Sequence, residues 1–238
     1  MTLPADGRAP MLVLFDIDGT LVHSAGVGRA AITSAMIDVY GTPGPIDELP
    51  FDGMTDPQIV RSLLRAVGFS DDRIDAGLDR LWTAYAAGLE DEIADRRARM
   101  RPAPGVPALL DALEETGATL GLVTGNIAAG AEGKLSAVGL WNRFPFGAFG
   151  CDDADRNALP PIALERAFRH TGTRYAPGRT WVVGDTPHDI ACARASELPV
   201  LAVATGRFSV DHLRRAGANE ALPSLGDTDR VMSVLACA

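Results

Sequence analysis

Leu12-Val13-Leu14-Phe15-Asp16-Ile17-Asp18-Gly19-Thr20-Leu21 is the stretch on which the reading of this chain turns. The apolar run 11–15 is short and ends in a polar turn, the pattern of a strand buried on both faces. It delivers one carboxylate at its end and a second two residues later, where the chain turns at Gly19. Like charges a few ångströms apart raise a pKa or demand a cation. The pair therefore implies a bound metal, a shared proton or a reacting group. An Asx turn followed by a helix N-cap at Thr20 accounts for one aspartate but not for two.

Working outward, similar apolar runs occur at 119–123, 180–183 and 199–204. From the second run onward they alternate with stretches of helical period, which predicts an α/β fold with a parallel, Rossmann-like sheet. Each run ends in a polar or glycine-containing turn, at 16–20, 124–126, 184–189 and 205–206. Ligands of open α/β sheets bind beyond the carboxyl ends of the strands, so these turns are expected to converge. Residues 221–238 read as a last strand or turn and a closing helix.

Between the first and second runs lie about a hundred residues, far more than a crossover requires. Helical patterns at 28–40, 56–67 and 71–99, with breaks at 42–45 and Gly68 and no convincing strand, predict an inserted helical cap. The expected division is a core of 1–22 and 102–238 and a cap of 23–101. Pro102 and Pro104 bracket Ala103 as a stiff hinge.

Two further clusters carry chemistry. Leu122-Val123-Thr124-Gly125-Asn126 sets a hydroxyl and an amide at a strand end just before a helix, whose N-terminal N–H groups favour an anion such as a phosphate oxygen. Trp181-Val182-Val183-Gly184-Asp185-Thr186-Pro187-His188-Asp189 sets another carboxylate at a strand end and a further acid four residues on. Hard oxygen ligands of this kind suit Mg²⁺, with Asp185 the principal ligand. Asp189 either binds through water, orients Asp185 or caps the helix that starts near Pro187. His188, alone in its turn, reads as solvated.

Composition narrows the partners. The chain has 238 residues, 47% of them hydrophobic, and a net charge of -9 that repels nucleic acid and anionic membranes. No apolar run is long enough to span a bilayer and no signal peptide is evident, so a cytoplasmic location is expected. Cys151, Cys192 and Cys237 are odd in number and widely spaced, consistent with reduced thiols. Lys134 is the only lysine.

The three clusters, in this order, resemble the haloacid dehalogenase superfamily, whose motifs are DxDGT, a Thr or Ser after a strand, and GDxxxD. The segments 25–29, 53–56 and 104–106 are also similar to its phosphoglycolate phosphatase-like group with a helical cap. The resemblance implies a Mg²⁺-dependent phosphatase for a small phosphorylated metabolite, 2-phosphoglycolate by default. It implies that Asp16 attacks phosphorus to form an acyl phosphate and that Asp18 serves as general acid and base. Asp16, Asp185 and the Asp18 carbonyl would hold the metal, with Asp189 beside them. Gly19, Thr20, Thr124, Gly125 and Asn126 would surround the phosphoryl group.

One departure concerns the basic partner of the nucleophile. Relatives with helical caps usually carry Lys-Pro, whereas this chain reads Asp155-Arg156-Asn157-Ala158-Leu159-Pro160-Pro161. Arg156 is the expected substitute, since a planar guanidinium can clamp two oxygens, and Lys134 is its rival. In the cap, Arg29, Thr55, Asp56 and Arg61 are candidate specificity residues, although Asp56 equally suits a helix start. Trp82, Tyr85 and Leu89 fall at helical spacing and suit an internal cap core or a dimer face, leaving monomer and homodimer open. Alternatives to a phosphatase are a phosphomutase of the β-phosphoglucomutase type and a catalytically silent phosphate- or metal-binding regulator.

Overall fold

The computed structural model describes residues 10–236; Cys237 lies outside them. In chain order the elements are β1 (Leu12–Phe15), β2 (Val22–His23), α1 (Val27–Tyr40), α2 (Asp56–Ala66), α3 (Asp71–Asp75), α4 (Leu78–Arg96), β3 (Arg101–Pro102), α5 (Val106–Glu115) and β4 (Thr119–Val123). There follow α6 (Ala128–Ala137), β5 (Gly147–Ala148), α7 (Leu159–Thr171), β6 (Thr180–Gly184), α8 (Pro187–Ala195), β7 (Val200–Val203), α9 (Val210–Arg215), β8 (Glu220–Leu222) and α10 (Thr228–Ala236).

Six strands form one sheet in the order β5-β4-β1-β6-β7-β8, and every neighbouring pair is parallel. The expected α/β fold with a Rossmann-like parallel sheet is the observed one. Its register positions the site. Phe15 pairs with Leu122 on one side and Val183 on the other, so the turns after β1, β4 and β6 leave the sheet at the same edge. Alternation along β1 divides its side chains between two layers. Leu12 and Leu14 join Val182, Ala163 and Ala167, while Val13 and Phe15 join Val183, Leu109 and Leu122. All four are fully buried, each contributing about 1.5–3 kcal/mol relative to exposure.

Between β2 and β3 the regular elements are all helical, with an irregular stretch at 41–55, and α1 packs along α4. β2 and β3 pair antiparallel, Val22 with Pro102 and His23 with Arg101, so the chain leaves and re-enters the core at one place. α2 begins with a capping box. Thr55 Oγ1 accepts from Gln58 N at 3.2 Å and Gln58 Oε1 accepts from Thr55 N at 3.3 Å. The single helix expected over 71–99 is instead two, separated at Ala76-Gly77. Tyr40 causes the break: its hydroxyl donates to the Ile74 carbonyl at 2.7 Å, and a Cβ at Gly77 would lie 2.7 Å from its ring. β5 was not legible in sequence, because Gly147 and Ala148 have no strand preference of their own and are held by pairing with Leu122 and Val123.

Candidate active site

The three turns converge on a cavity of about 280 Å³ between the sheet edge and the helical segment. Its floor is the end of β1. Asp16 N donates to the Val183 carbonyl at 2.9 Å, extending the ladder by one residue and fixing the side chain at the rim. The chain then turns at Gly19, whose φ of 78° lies in the left-handed region that glycine tolerates without strain. A side chain there would also come within 2.4 Å of Asp185 Oδ2. Thr205 Oγ1 donates to the Gly19 carbonyl at 2.5 Å, and Thr20 Oγ1 donates to Asp185 Oδ1 at 3.2 Å. The turns after β1, β6 and β7 are thus laced together.

Arg156 lies in a short 3₁₀ turn just before α7 and is buried. Its Nη2 stands 2.9 Å from Asp16 Oδ1 and also bonds Asp189 Oδ1, while Nη1 donates to the Gly53 carbonyl at 2.9 Å. One guanidinium therefore joins the β1 turn, α8 and the loop before α2. Asp189 has no free oxygen. Oδ1 faces Arg156, and Oδ2 accepts from Thr186 N at 2.9 Å and Thr186 Oγ1 at 2.7 Å, closing the capping box of α8. Of the roles open to Asp189 in sequence, capping of α8 is the one its hydrogen bonds display.

Lys134, on α6, serves the other acid. Its Nζ donates to Asp18 Oδ2 at 2.6 Å and to Asn126 Oδ1 at 2.5 Å. Asp18 also accepts from Asn126 Nδ2 at 2.9 Å and from Ser24 Oγ at 2.6 Å. The two basic residues that sequence set against each other thus attend different aspartates.

Electrostatics separates the two acids. Burial, with the charges of Asp189 and Asp18, pushes Asp16 up to about 6 against the pull of Arg156. Burial would raise Asp18 too, but the charge of Lys134 and the hydrogen bonds from Lys134, Ser24 and Asn126 outweigh it and lower the carboxyl. Burial and the neighbouring Asp189 and Asp16 hold Asp185 well above the usual range. Arg156 loses solvation, yet Asp189 and Asp16 keep it firmly protonated. Burial raises Asp56 to about 6.

The donor set fits Mg²⁺. Asp16, Asp185 and Asp189 each bring an oxygen within 4.8 Å of the others, and this crowding adds to burial in raising Asp185. No side chain fills the space beside Asp185 Oδ2, where a Cβ at Gly206 would lie at 1.8 Å. Asp16 and Asp185 offer the carboxylates, and Asp18 lines the same cavity.

Of the expected site residues, Asp16, Asp18, Gly19, Arg29, Asp56, Gly125, Asn126, Lys134, Arg156 and Asp185 line the cavity. Thr20, Thr55, Thr124 and Asp189 are buried outside its wall. Thr124 Oγ1 accepts from Asn126 Nδ2 at 2.9 Å, and Thr55 Oγ1 donates to the Ala154 carbonyl at 2.8 Å. Asp56 lies at the start of α2, its N–H donating to the Gly125 carbonyl and its Oδ2 accepting from Ile127 N at 2.9 Å. Arg29 donates to the Ile46 carbonyl at 2.7 Å and lies over the Phe51 ring. Arg61 is turned away, paired with Asp75 at 2.6 Å. Trp82, Tyr85 and Leu89 pack in the core between the helices, but Tyr85 also reaches the cavity. Sequence reasoning missed Ser24, whose only signal was a hydroxyl six residues after Asp18, and the wall formed by Phe51 and Met54.

Comparison with known proteins agrees with this geometry. A family model described as haloacid dehalogenase-like hydrolase matches residues 13–194. The chain is 29% identical to a phosphoglycolate phosphatase of Rhodospirillum rubrum, over 92% of this chain and 90% of the relative. It is 30% identical to an N-acetylmuramic acid 6-phosphate phosphatase of Pseudomonas aeruginosa, over 82% and 81%. A crystal structure of a hydrolase from Pseudomonas syringae superposes with a TM-score of 0.71 at 22% identity, covering 94% of this chain and 98% of that one. With its three motifs at the strand ends and the family match spanning most of its length, the chain belongs to the haloacid dehalogenase-like hydrolases.

Proposed function

We propose that this enzyme hydrolyses small phosphomonoesters in a Mg²⁺-dependent reaction through a phosphorylated Asp16. The observation that carries the reading is the buried pairing of Arg156 with Asp16 at 2.9 Å, while Asp18 is held separately by Lys134 at 2.6 Å. Each acid thereby has a cation of its own, Arg156 for Asp16 and Lys134 for Asp18, which supports separate roles for them as nucleophile and proton carrier.

In the first step an Asp16 oxygen bonds phosphorus, the bond from phosphorus to the leaving oxygen breaks, and Asp18, which must enter this step protonated against the pull of Lys134, gives that oxygen its proton. In the second, water attacks phosphorus, Asp18 takes the water's proton, and the Asp16 carboxylate is released with inorganic phosphate. Arg156 neutralises charge on Asp16 and the phosphoryl oxygens. Gly125 and Asn126 line the phosphoryl end, backed by Thr124. Asp16, Asp185 and the Asp18 carbonyl would hold Mg²⁺, which would supply further charge neutralisation. Asp189 positions Arg156. Residues 23–101 act as the cap, with the β2–β3 pair as its hinge, a reading supported by where that pair joins the core.

2-Phosphoglycolate, named in several relatives, is the first compound to assay, although a relative of similar identity is named for a different phosphate ester. A cytoplasmic setting accords with the free thiols of Cys151 and Cys192. The test is release of inorganic phosphate from para-nitrophenyl phosphate with Mg²⁺, lost on chelation and lost in Asp16→Asn. Isomerisation of a sugar phosphate without phosphate release would identify a phosphomutase instead, and binding without turnover a silent regulator.

A further inference from the structure

The wall of the cavity formed by the helical segment is set up for a particular leaving group. Tyr85, on α4, is 1% exposed, yet its hydroxyl has no hydrogen-bond partner among the described residues and the side chain lines the cavity. A hydroxyl that the protein leaves without a partner at a cavity wall keeps its donor and acceptor for a ligand. Lys134 carries three N–H donors, and Asp18 and Asn126 use two. The third remains. The tips of the two side chains are neighbours, because the position of a Cβ at Gly28 would lie 3.0 Å from Lys134 Nζ and 3.6 Å from Tyr85 Oη. The missing side chain at Gly28 leaves both open. Asp56 completes the group: Oδ2 is taken by Ile127 N, whereas Oδ1 makes no hydrogen bond among the described residues.

These three residues offer one donor of the ammonium type, one hydroxyl able to donate or accept, and one acceptor. A hydroxyl of a ligand can satisfy all three kinds. A carboxylate can only accept, and the charge here does not welcome it. The positive charge of Lys134 is already compensated by Asp18, and Asp56 brings a second negative charge to the same wall. Asp52, at the rim, is paired with Arg207 at 3.1 Å. Arg29 is the remaining cation of this wall, and it is engaged with the Ile46 carbonyl, the Phe51 ring and, at 3.7 Å, Asp47.

We infer that Tyr85, Lys134 and Asp56 form a recognition site for a hydroxyl on the leaving group, so that the preferred substrates are small polyol phosphates with an uncharged leaving group rather than carboxylate-bearing ones. This rests on the phosphatase reading above. It departs from the substrate suggested by the phosphoglycolate phosphatases, whose identity to this chain is below a third.

The experiment compares kcat/KM for glycerol 2-phosphate, 2-phosphoglycolate and para-nitrophenyl phosphate with Mg²⁺, in the wild type and in Tyr85→Phe and Asp56→Asn. The wild type should prefer glycerol 2-phosphate to 2-phosphoglycolate by about tenfold. Tyr85→Phe, which keeps the packing, should narrow that ratio by about threefold to tenfold, through KM for the polyol ester, the scale of one neutral hydrogen bond. Asp56→Asn should narrow it from the other side, by improving 2-phosphoglycolate. A wild-type preference for 2-phosphoglycolate, or ratios unmoved by both substitutions, overturns the inference while turnover of para-nitrophenyl phosphate leaves the phosphatase reading standing. Failure to hydrolyse any of the three overturns that reading, and the inference with it.

Discussion

The only lysine of the chain, Lys134, places its Nζ 2.6 Å from Oδ2 of Asp18 and so belongs to the second acid of the DxD pair, not the first. Asp16 has Arg156. The consequence is that the two cations have separable effects, each testable by removing one.

Arg156→Ala leaves Asp16 and Asp189 buried without their counter-charge and should lower turnover of para-nitrophenyl phosphate by about 10³-fold, the range seen when a preorganised charge partner is lost. Arg156→Lys restores the charge but not the fork that also holds the Gly53 carbonyl, so it should recover only part of the loss. Lys134→Ala should cost less, about 10- to 100-fold, because Asp18 keeps Ser24 and Asn126. Steady-state kinetics of the three variants gives the order, and a larger deficit in Lys134→Ala than in Arg156→Ala would reverse it.

Asp189→Ala should destabilise the fold by about 3–5 kcal/mol, since it breaks a fully buried ion pair. It also opens the capping box of α8. Urea unfolding of the wild type and the variant measures this, and a change below about 1 kcal/mol would mean that Arg156 finds a substitute partner.

Asp56 should leave a mark on the pH dependence of stability. Its folded value, about 6, lies above the 3.8 expected when unfolded, because burial disfavours the carboxylate. The folded state therefore binds the proton more tightly. Stability from this group is complete below the unfolded value and is lost as pH rises through about 6. Asp56→Asn, which can still accept from Ile127 N, removes that loss and should gain up to about 3 kcal/mol at pH 7 relative to pH 4. Denaturant midpoints from pH 4 to 7, taken as the difference between the two proteins, should diverge upward for the variant, and parallel curves would refute the prediction.

Gly19→Ala should raise the Mg²⁺ concentration needed for half-maximal activity by about tenfold or more and lower stability by about 1–2 kcal/mol. The backbone is in the left-handed region there, and the added methyl would displace Asp185. Metal titration of activity and thermal unfolding are the measurements. Unchanged metal dependence would place the ion elsewhere.

Much of this was legible in the linear chain because it depends on local pattern. The buried run before Asp16, the acids after two strand ends and the alternation of apolar runs with helical stretches specify a parallel sheet with its reactive turns at one edge. The capping boxes at Thr55 and Thr186 are equally local, each closed within three residues. The break at Ala76-Gly77 was not legible, because it depends on Tyr40 arriving from another helix.

Sequence alone determined which acids share one edge of the sheet: Asp16, Asp18 and Asp185 stand in the turns after two strands, and strand ends of a parallel sheet converge. Tertiary structure alone decided how they are shared out. Arg156 reaches Asp16 across 140 positions and Lys134 reaches Asp18 across 116, while Asp189 turns inward and the Tyr85 hydroxyl faces the cavity. Spacing in a chain states where a side chain is attached. Which carboxylate a cation neutralises depends on a few ångströms set by the packing of α6, α7 and α8 against the sheet, and those distances exist only once the layers have closed.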